Sequence, residues 1–225
     1  MDPKIRDRTY DELLVRKKEF LKICNILDEL EIIFFLNSAI LLGAIRDNDL
    51  IKWDWDIEIS VFSDELLPNI DSIVNKLKEN GFEIKNINKK KNDSKIDFIG
   101  EYPADVTGYT IWSWNYSKLR DVYWRRDLSM PSKFLKKFSK IDFLGRKFNC
   151  PYNPEEYLEF AYGNWKVPLR STDKELYNTK TYKNKRKTII MNSKHAFKKI
   201  IYELWKFKNS YSRANRSCSK YSILL

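Results

Sequence analysis

The 225-residue chain is poor in the residues that build disulfide scaffolds and zinc sites, with three cysteines and one histidine. Cys24, Cys150 and Cys218 are odd in number, far apart and without ligand spacing. Neither a disulfide framework nor a zinc site is expected, and the chain reads as a protein of a reducing compartment. His195 reads as an incidental surface residue rather than a general base. Long apolar runs are missing too. No stretch approaches the roughly 18 apolar residues of a membrane span, and none follows the charges of the first eight residues, so the expectation is a cytoplasmic protein. Glycine is scarce, six residues beside abundant Lys, Asn and Ile, a bias from which no function is read. Acids are nearly absent from the C-terminal tail, where thirteen Lys/Arg face only Glu203 between Thr179 and Leu225. The remaining 29 basic and 30 acidic residues nearly cancel, so the net charge of +11 belongs to the tail and makes nucleic acid an unlikely partner for the whole protein.

What the chain does have is 43% hydrophobic and 15% aromatic residues, enough for one sizeable core with a helical appendage. It also has acids at alternate positions, in Trp53-Asp54-Trp55-Asp56-Ile57-Glu58-Ile59. If 53–61 is a strand, Asp54, Asp56 and Glu58 share one face and Trp55, Ile57 and Ile59 the other. Carboxylates this close repel and raise one another's pKa unless a cation or a shared proton intervenes. Hard oxygens without Cys or His suit Mg2+ or Mn2+. The plainer reading is an exposed edge strand that happens to alternate.

Just upstream, a short strand over 32–36 precedes a helix starting near Asn37 or Ser38 and ending at Arg46, whose first N–H groups could seat an anion. The combination resembles the LicD/fukutin family, whose pattern is roughly G-[ST]-L-L-G-A-x-R, six residues, W-D-x-D-x-D. Leu41-Leu42-Gly43-Ala44-Ile45-Arg46 and Trp53-Asp54-x-Asp56-x-Glu58 match in type and spacing. The departures are Ala39 and Ile40 at the leading Gly and Ser/Thr, for which Asn37 or Ser38 would have to substitute, Lys52 for the usual Pro, and Glu58 for the third Asp.

Elsewhere, Thr9-x-x-Glu12 has the form of a capping box opening an amphipathic helix with Leu13, Leu14, Phe20, Leu21, Cys24 and Leu27 on its apolar side and Leu30 closing it. Arg16-Lys17-Lys18 reads as its solvated face. Ser63-x-Glu65 opens a second helix that stops at Asn80-Gly81. Strands are expected over 82–87, 95–102 and 104–112. The aromatic and basic stretch 113–140, with Trp114, Tyr116, Tyr123, Trp124, Arg125 and Arg126, reads as core aromatics with snorkelling charges, or as a face for a base or sugar with arginines for phosphate. Phe143 to Pro168 reads as a hairpin turning at Gly145-Arg146, a helix opened by Asn153-Pro154-Glu155-Glu156 and a stop at Gly163, and it looks like the ending of the same family.

The resemblance implies an α+β fold, a nucleotidyltransferase-like mixed sheet flanked by helices. We expect this catalytic domain over 1–170 and a basic loop and amphipathic helix over 171–225. It further implies a metal-dependent phosphotransferase moving a phospho-alcohol unit, phosphocholine or a polyol phosphate, from a CDP-alcohol donor to a sugar hydroxyl of a glycan or glycolipid acceptor. Asp54, Asp56, Glu58 and a third-strand acid would hold the metal; Asp105 is the candidate and Asp97 the alternative. Asp56, Glu58 and Asp105 would be catalytic, and Asn37, Ser38 and Arg46 would bind the donor phosphates. The helix over 193–209 either packs on the domain or lies peripherally on an anionic membrane or acidic glycan. The rival functions are a catalytically inactive binding protein, gripping a membrane or polyanion through its tail, and a nucleotidyltransferase acting on RNA.

Overall fold

Thr9 accepts a hydrogen bond from the Glu12 N–H, and Glu12 accepts one from the Thr9 N–H at 2.7 Å, so the capping box forms and opens α1 (Tyr10–Glu29). These contacts come from a computed structural model, which describes residues 6–103 and 106–171. The described residues belong to the first of two units into which the chain divides, Met1–Asn184. Asp105, His195, Cys218 and the basic helix expected over 193–209 lie outside the described residues.

The order continues with β1 (Phe34–Leu36), α2 (Ser38–Arg46), β2 (Asp56–Phe62), α3 (Ser63–Glu79), β3 (Glu83–Asn88), β4 (Lys95–Ile99) and β5 (Gly108–Ser117). Then come β6 (Val122–Arg125), β7 (Leu128–Pro131), β8 (Phe138–Phe143), β9 (Arg146–Pro151) and α4 (Pro154–Tyr162). The main sheet runs β1-β2-β5-β4-β3, with β6 and β7 continuing from the far half of β5. Among the described residues only β2 and β5 pair in parallel; the other pairs are antiparallel. β8 and β9 form a separate hairpin tied to β1, where Asn149 donates to the Phe34 carbonyl at 3.1 Å. This is an α+β fold with a mixed sheet flanked by helices. Among the described residues no helix is long and apolar enough to cross a membrane.

The two faces of the sheet differ. Ile57, Ile59, Ile96, Phe98, Tyr109 and Ile111 are buried, and this face meets α1 and α3: Tyr109 donates to Glu19 of α1 at 2.6 Å, and Ser113 bonds Ser63 at the start of α3. The other face carries Asp56, Glu58, Asp97, Thr110 and Trp112, all only half-buried. The polar side chains therefore lie where the helices do not.

Several boundaries shift from the sequence reading, each for a local reason. The acid strand begins at Asp56 rather than 53, because the Asp54 N–H donates to the Ile51 carbonyl and closes a turn. β5 begins at Gly108, because the Val106 and Thr107 N–H groups both turn back onto the Pro103 carbonyl. The hairpin turns at Leu144-Gly145, one residue early. Both have positive φ, 47° and 80°, as the two-residue turn that matches strand twist requires. Leu14 is 46% exposed rather than core. Cys24 and Cys150 are free and buried, and burial pushes the Cys150 thiol up to about 12, which leaves it inert.

Candidate active site

The acids converge at the start of β2. Glu58 faces Thr110 and Asp56 faces Gly108 across the parallel pair, so both carboxylates stand on the face that the helices leave open. Asp54 sits before the strand, in the turn, where its carboxyl is within electrostatic reach of Arg16, Glu58 and Asp56. Burial of the Asp54 carboxyl is the largest cause raising its pKa; nearby Arg16 opposes it, and Glu58 adds to it.

Glu58 has its own counter-ion. Arg125 of β6 reaches across Trp112 and Trp114, its guanidinium 4.3 and 5.2 Å from their rings, and meets Glu58 at 3.2 Å. Its side chain is only 6% exposed. Sandwiching the guanidinium against indole faces fixes it where it neutralises one acid of the cluster. Of the two readings of the stretch 113–140, Arg125 follows the first in its packing, and the partner it meets is a carboxylate.

Asn37 caps α2, its side chain accepting the Ser38 N–H at 2.7 Å. The residue is 1% exposed, and its side-chain NH2 is buried without a partner among the described residues. Ser38 stands at φ +54°, a left-handed conformation that costs a non-glycine residue about 1 kcal/mol. Arg46 sits at the opposite end of α2, about 12 Å along the axis. There it pairs with Asp47 at 2.8 Å and lies 5.9 Å from the Trp53 ring. Helix geometry thus separates Arg46 from Asn37 and Ser38.

Asp97 lies on β4, one strand further from the acids, and is already engaged. Lys95 pairs with it at 2.5 Å, Thr110 donates at 3.0 Å and Asn86 at 2.8 Å.

Sequence reasoning missed Arg16. It was assigned to the solvated face of α1, yet it is 1% exposed and donates to the backbone carbonyls of Asp54 at 2.6 Å and Asp56 at 3.4 Å. The signal was available: position 16 falls between Leu13 and Phe20, in the 13, 16, 20, 23, 27 rhythm of the buried stripe. The solvated reading does hold for Lys18, which is exposed, whereas Lys17 is half-buried and pairs with Asp49 at 2.8 Å.

Among the described residues no group of three or more His, Cys, Asp or Glu side chains is arranged to hold a metal ion. Asp54 and Asp56 still present hard oxygens side by side. Magnesium is commonly held by one or two carboxylates with substrate phosphates completing its shell. Hard carboxylate oxygens are the donor type that suits magnesium or manganese.

A mixed sheet with an acid-led strand following a helix N-terminus is the build of a nucleotidyltransferase domain. The family model "LicD/FKTN/FKRP, nucleotidyltransferase domain" matches residues 31–153, more than half of the chain. The chain belongs to the LicD/FKTN/FKRP family. It is 26% identical over 181 residues to the mouse ribitol-5-phosphate transferase FKTN, a match covering 75% of this chain and 38% of that protein. The chain thus spans well under half the length of this relative. Among solved structures, a solution structure of the antibiotic-resistance factor ANT(2'')-Ia aligns with a TM-score of 0.47 and 11% identity, covering 93% of this chain and 100% of that one. A crystal structure of ANT(2")-Ia with adenylyl-2"-tobramycin aligns with 0.45 and 10%, covering 65% and 76%.

Proposed function

We propose that the domain transfers a phospho-alcohol unit, phosphocholine or a polyol phosphate, from a CDP-alcohol to a sugar hydroxyl of a glycan or glycolipid. The observation that carries this reading is the convergence of Asp54, Asp56 and Glu58 on the open sheet face, in a chain of this family. The hydroxyl oxygen forms a bond to the phosphorus bearing the alcohol, the diphosphate bridge breaks, and CMP leaves. Asp105, which lies outside the described residues, is assigned the proton of the attacking hydroxyl. The buried NH2 of Asn37 and the first N–H groups of α2 supply donors to a phosphate oxygen. Arg125 holds the Glu58 carboxylate in place through their ion pair. A magnesium ion held by Asp54 and Asp56 would neutralise the diphosphate.

Incubation with a panel of CDP-alcohols, magnesium and sugar acceptors, followed by CMP release, tests the reading. Asp56→Ala is expected to lower turnover by at least two orders of magnitude with an unchanged melting temperature, and equal turnover would end the proposal. A second reading, a binding protein without catalysis, is favoured by Ala39-Ile40 standing where the family has Gly and Ser/Thr. CDP-alcohol binding with no CMP release across the panel would select it.

A further inference from the structure

Arg16 is a buried cation on an otherwise apolar stripe, and its bonds go to carbonyls rather than to a carboxylate. Its Nε is buried without a partner among the described residues. For stability alone this is a poor arrangement. Removing a guanidinium from water costs several kcal/mol, and a well-packed apolar side chain at such a position is often as stable or more so. Position 16 also lies outside the 31–153 span that defines the family domain.

What the arrangement achieves is local. The two carbonyls it engages, Asp54 and Asp56, flank Trp55, so one planar fork spans the junction where turn becomes strand. Its charge acts on the Asp54 carboxyl from the helix side of the sheet, opposing the repulsion among the acids. Arg8, from the lead-in to α1, does the same for the neighbouring backbone. Its Nε donates to the Val106 carbonyl at 2.9 Å and its own N–H to the Lys52 carbonyl at 2.8 Å. Glu19 then accepts the Glu101 N–H at 2.7 Å. One helix and its lead-in thus grip the backbone on both approaches to the acid face, and Arg16 is the deepest of the three.

We propose that Arg16 is the positioning residue of the acid cluster: its fork on the Asp54 and Asp56 carbonyls holds in place the turn-to-strand junction that carries the two carboxyls. The consequence for turnover rests on the phosphotransfer reading; the positioning itself does not. The test compares the full chain with Arg16→Met and Arg16→Lys by amide hydrogen exchange. The reporters are the Asp54 N–H, bonded to the Ile51 carbonyl, and the Gly108 N–H, bonded to the Trp55 carbonyl. Manganese affinity and CMP release are measured on the same samples.

Arg16→Met is expected to keep its melting temperature within a few degrees. At the same time these two amides should exchange at least tenfold faster, manganese binding should weaken at least tenfold, and kcat should fall more than KM changes. Arg16→Lys, which keeps a charged donor, should recover most of the amide protection. Should Arg16→Met fail to fold, Arg16→Gln, neutral but still a donor, takes its place, with faster exchange than Arg16→Lys expected. Native protection of both amides in a folded Arg16→Met or Arg16→Gln variant would overturn the proposal. A wild-type chain that releases no CMP but shows the exchange difference would instead remove the phosphotransfer reading and leave Arg16 its role.

Discussion

Glu12 carries two duties, and its Oε2 serves both. It closes the capping box of α1, and it meets the Arg6 guanidinium, whose hydrogen bond is the largest cause lowering its pKa from the ordinary 4.5 to about 2. A folded-state pKa below the unfolded one gives stability that is whole above pH 4.5 and is lost as pH falls toward 2. Glu12→Gln keeps an acceptor for the box but cannot titrate. Urea unfolding between pH 5 and pH 2 should therefore show a shallower acid decline in the variant than in the wild type, and identical slopes would sink this account. Arg125 and Glu58 make a second pair whose two halves differ in burial, with side chains 6% and 25% exposed. Arg125→Met strands an acid beside two others and is expected to cost about 3 kcal/mol, the lower end for a broken buried pair because Glu58 keeps some water. Adding Glu58→Gln should recover part of that loss, which a double-mutant cycle by chemical denaturation measures.

At the scale of elements, α2 is held at its start by a cap and a strained residue. Asn37→Ala removes the cap and should cost about 1 kcal/mol, whereas Ser38→Gly relieves a φ of +54° and should stabilise by up to about 1 kcal/mol. Thermal unfolding of the two variants should therefore move in opposite directions. The elements themselves were largely legible from sequence, because capping boxes, glycine stops and apolar periods act locally. Thr9-x-x-Glu12 placed α1, and Asn80-Gly81 ended α3, with Gly81 at φ 86°. What was not legible were strand starts, since a single carbonyl acceptor, Ile51 or Pro103, decides whether the next residues turn or extend. The alternation of Asp54, Asp56 and Glu58 points to one face; the strand places Asp56 and Glu58 there, while Asp54 sits in the turn before it. Arg16 and Arg125 escaped because their partners lie 38 and 67 positions away, and charge patterns report only nearest neighbours along the chain.

Across the whole molecule, the sheet separates stability from chemistry by face, and adjacent residues of β5 fall on opposite sides of that division. Ile111 is fully buried toward α1 and α3, while Thr110 faces out between Glu58 and Asp97, donating to the latter. Ile111→Ala empties core volume and should lower the unfolding free energy by about 2–5 kcal/mol, while the fraction that remains folded keeps its CMP release. Thr110→Tyr does the reverse. A tyrosine is at home in a strand, and losing one hydrogen bond costs only about 1 kcal/mol. Its ring, however, would occupy the space above the acids where donor and acceptor must meet. Denaturant titrations paired with CMP release on both variants decide the matter. Full transfer by Thr110→Tyr would place the reaction away from this face, and with it the roles given to Asp54, Asp56 and Glu58.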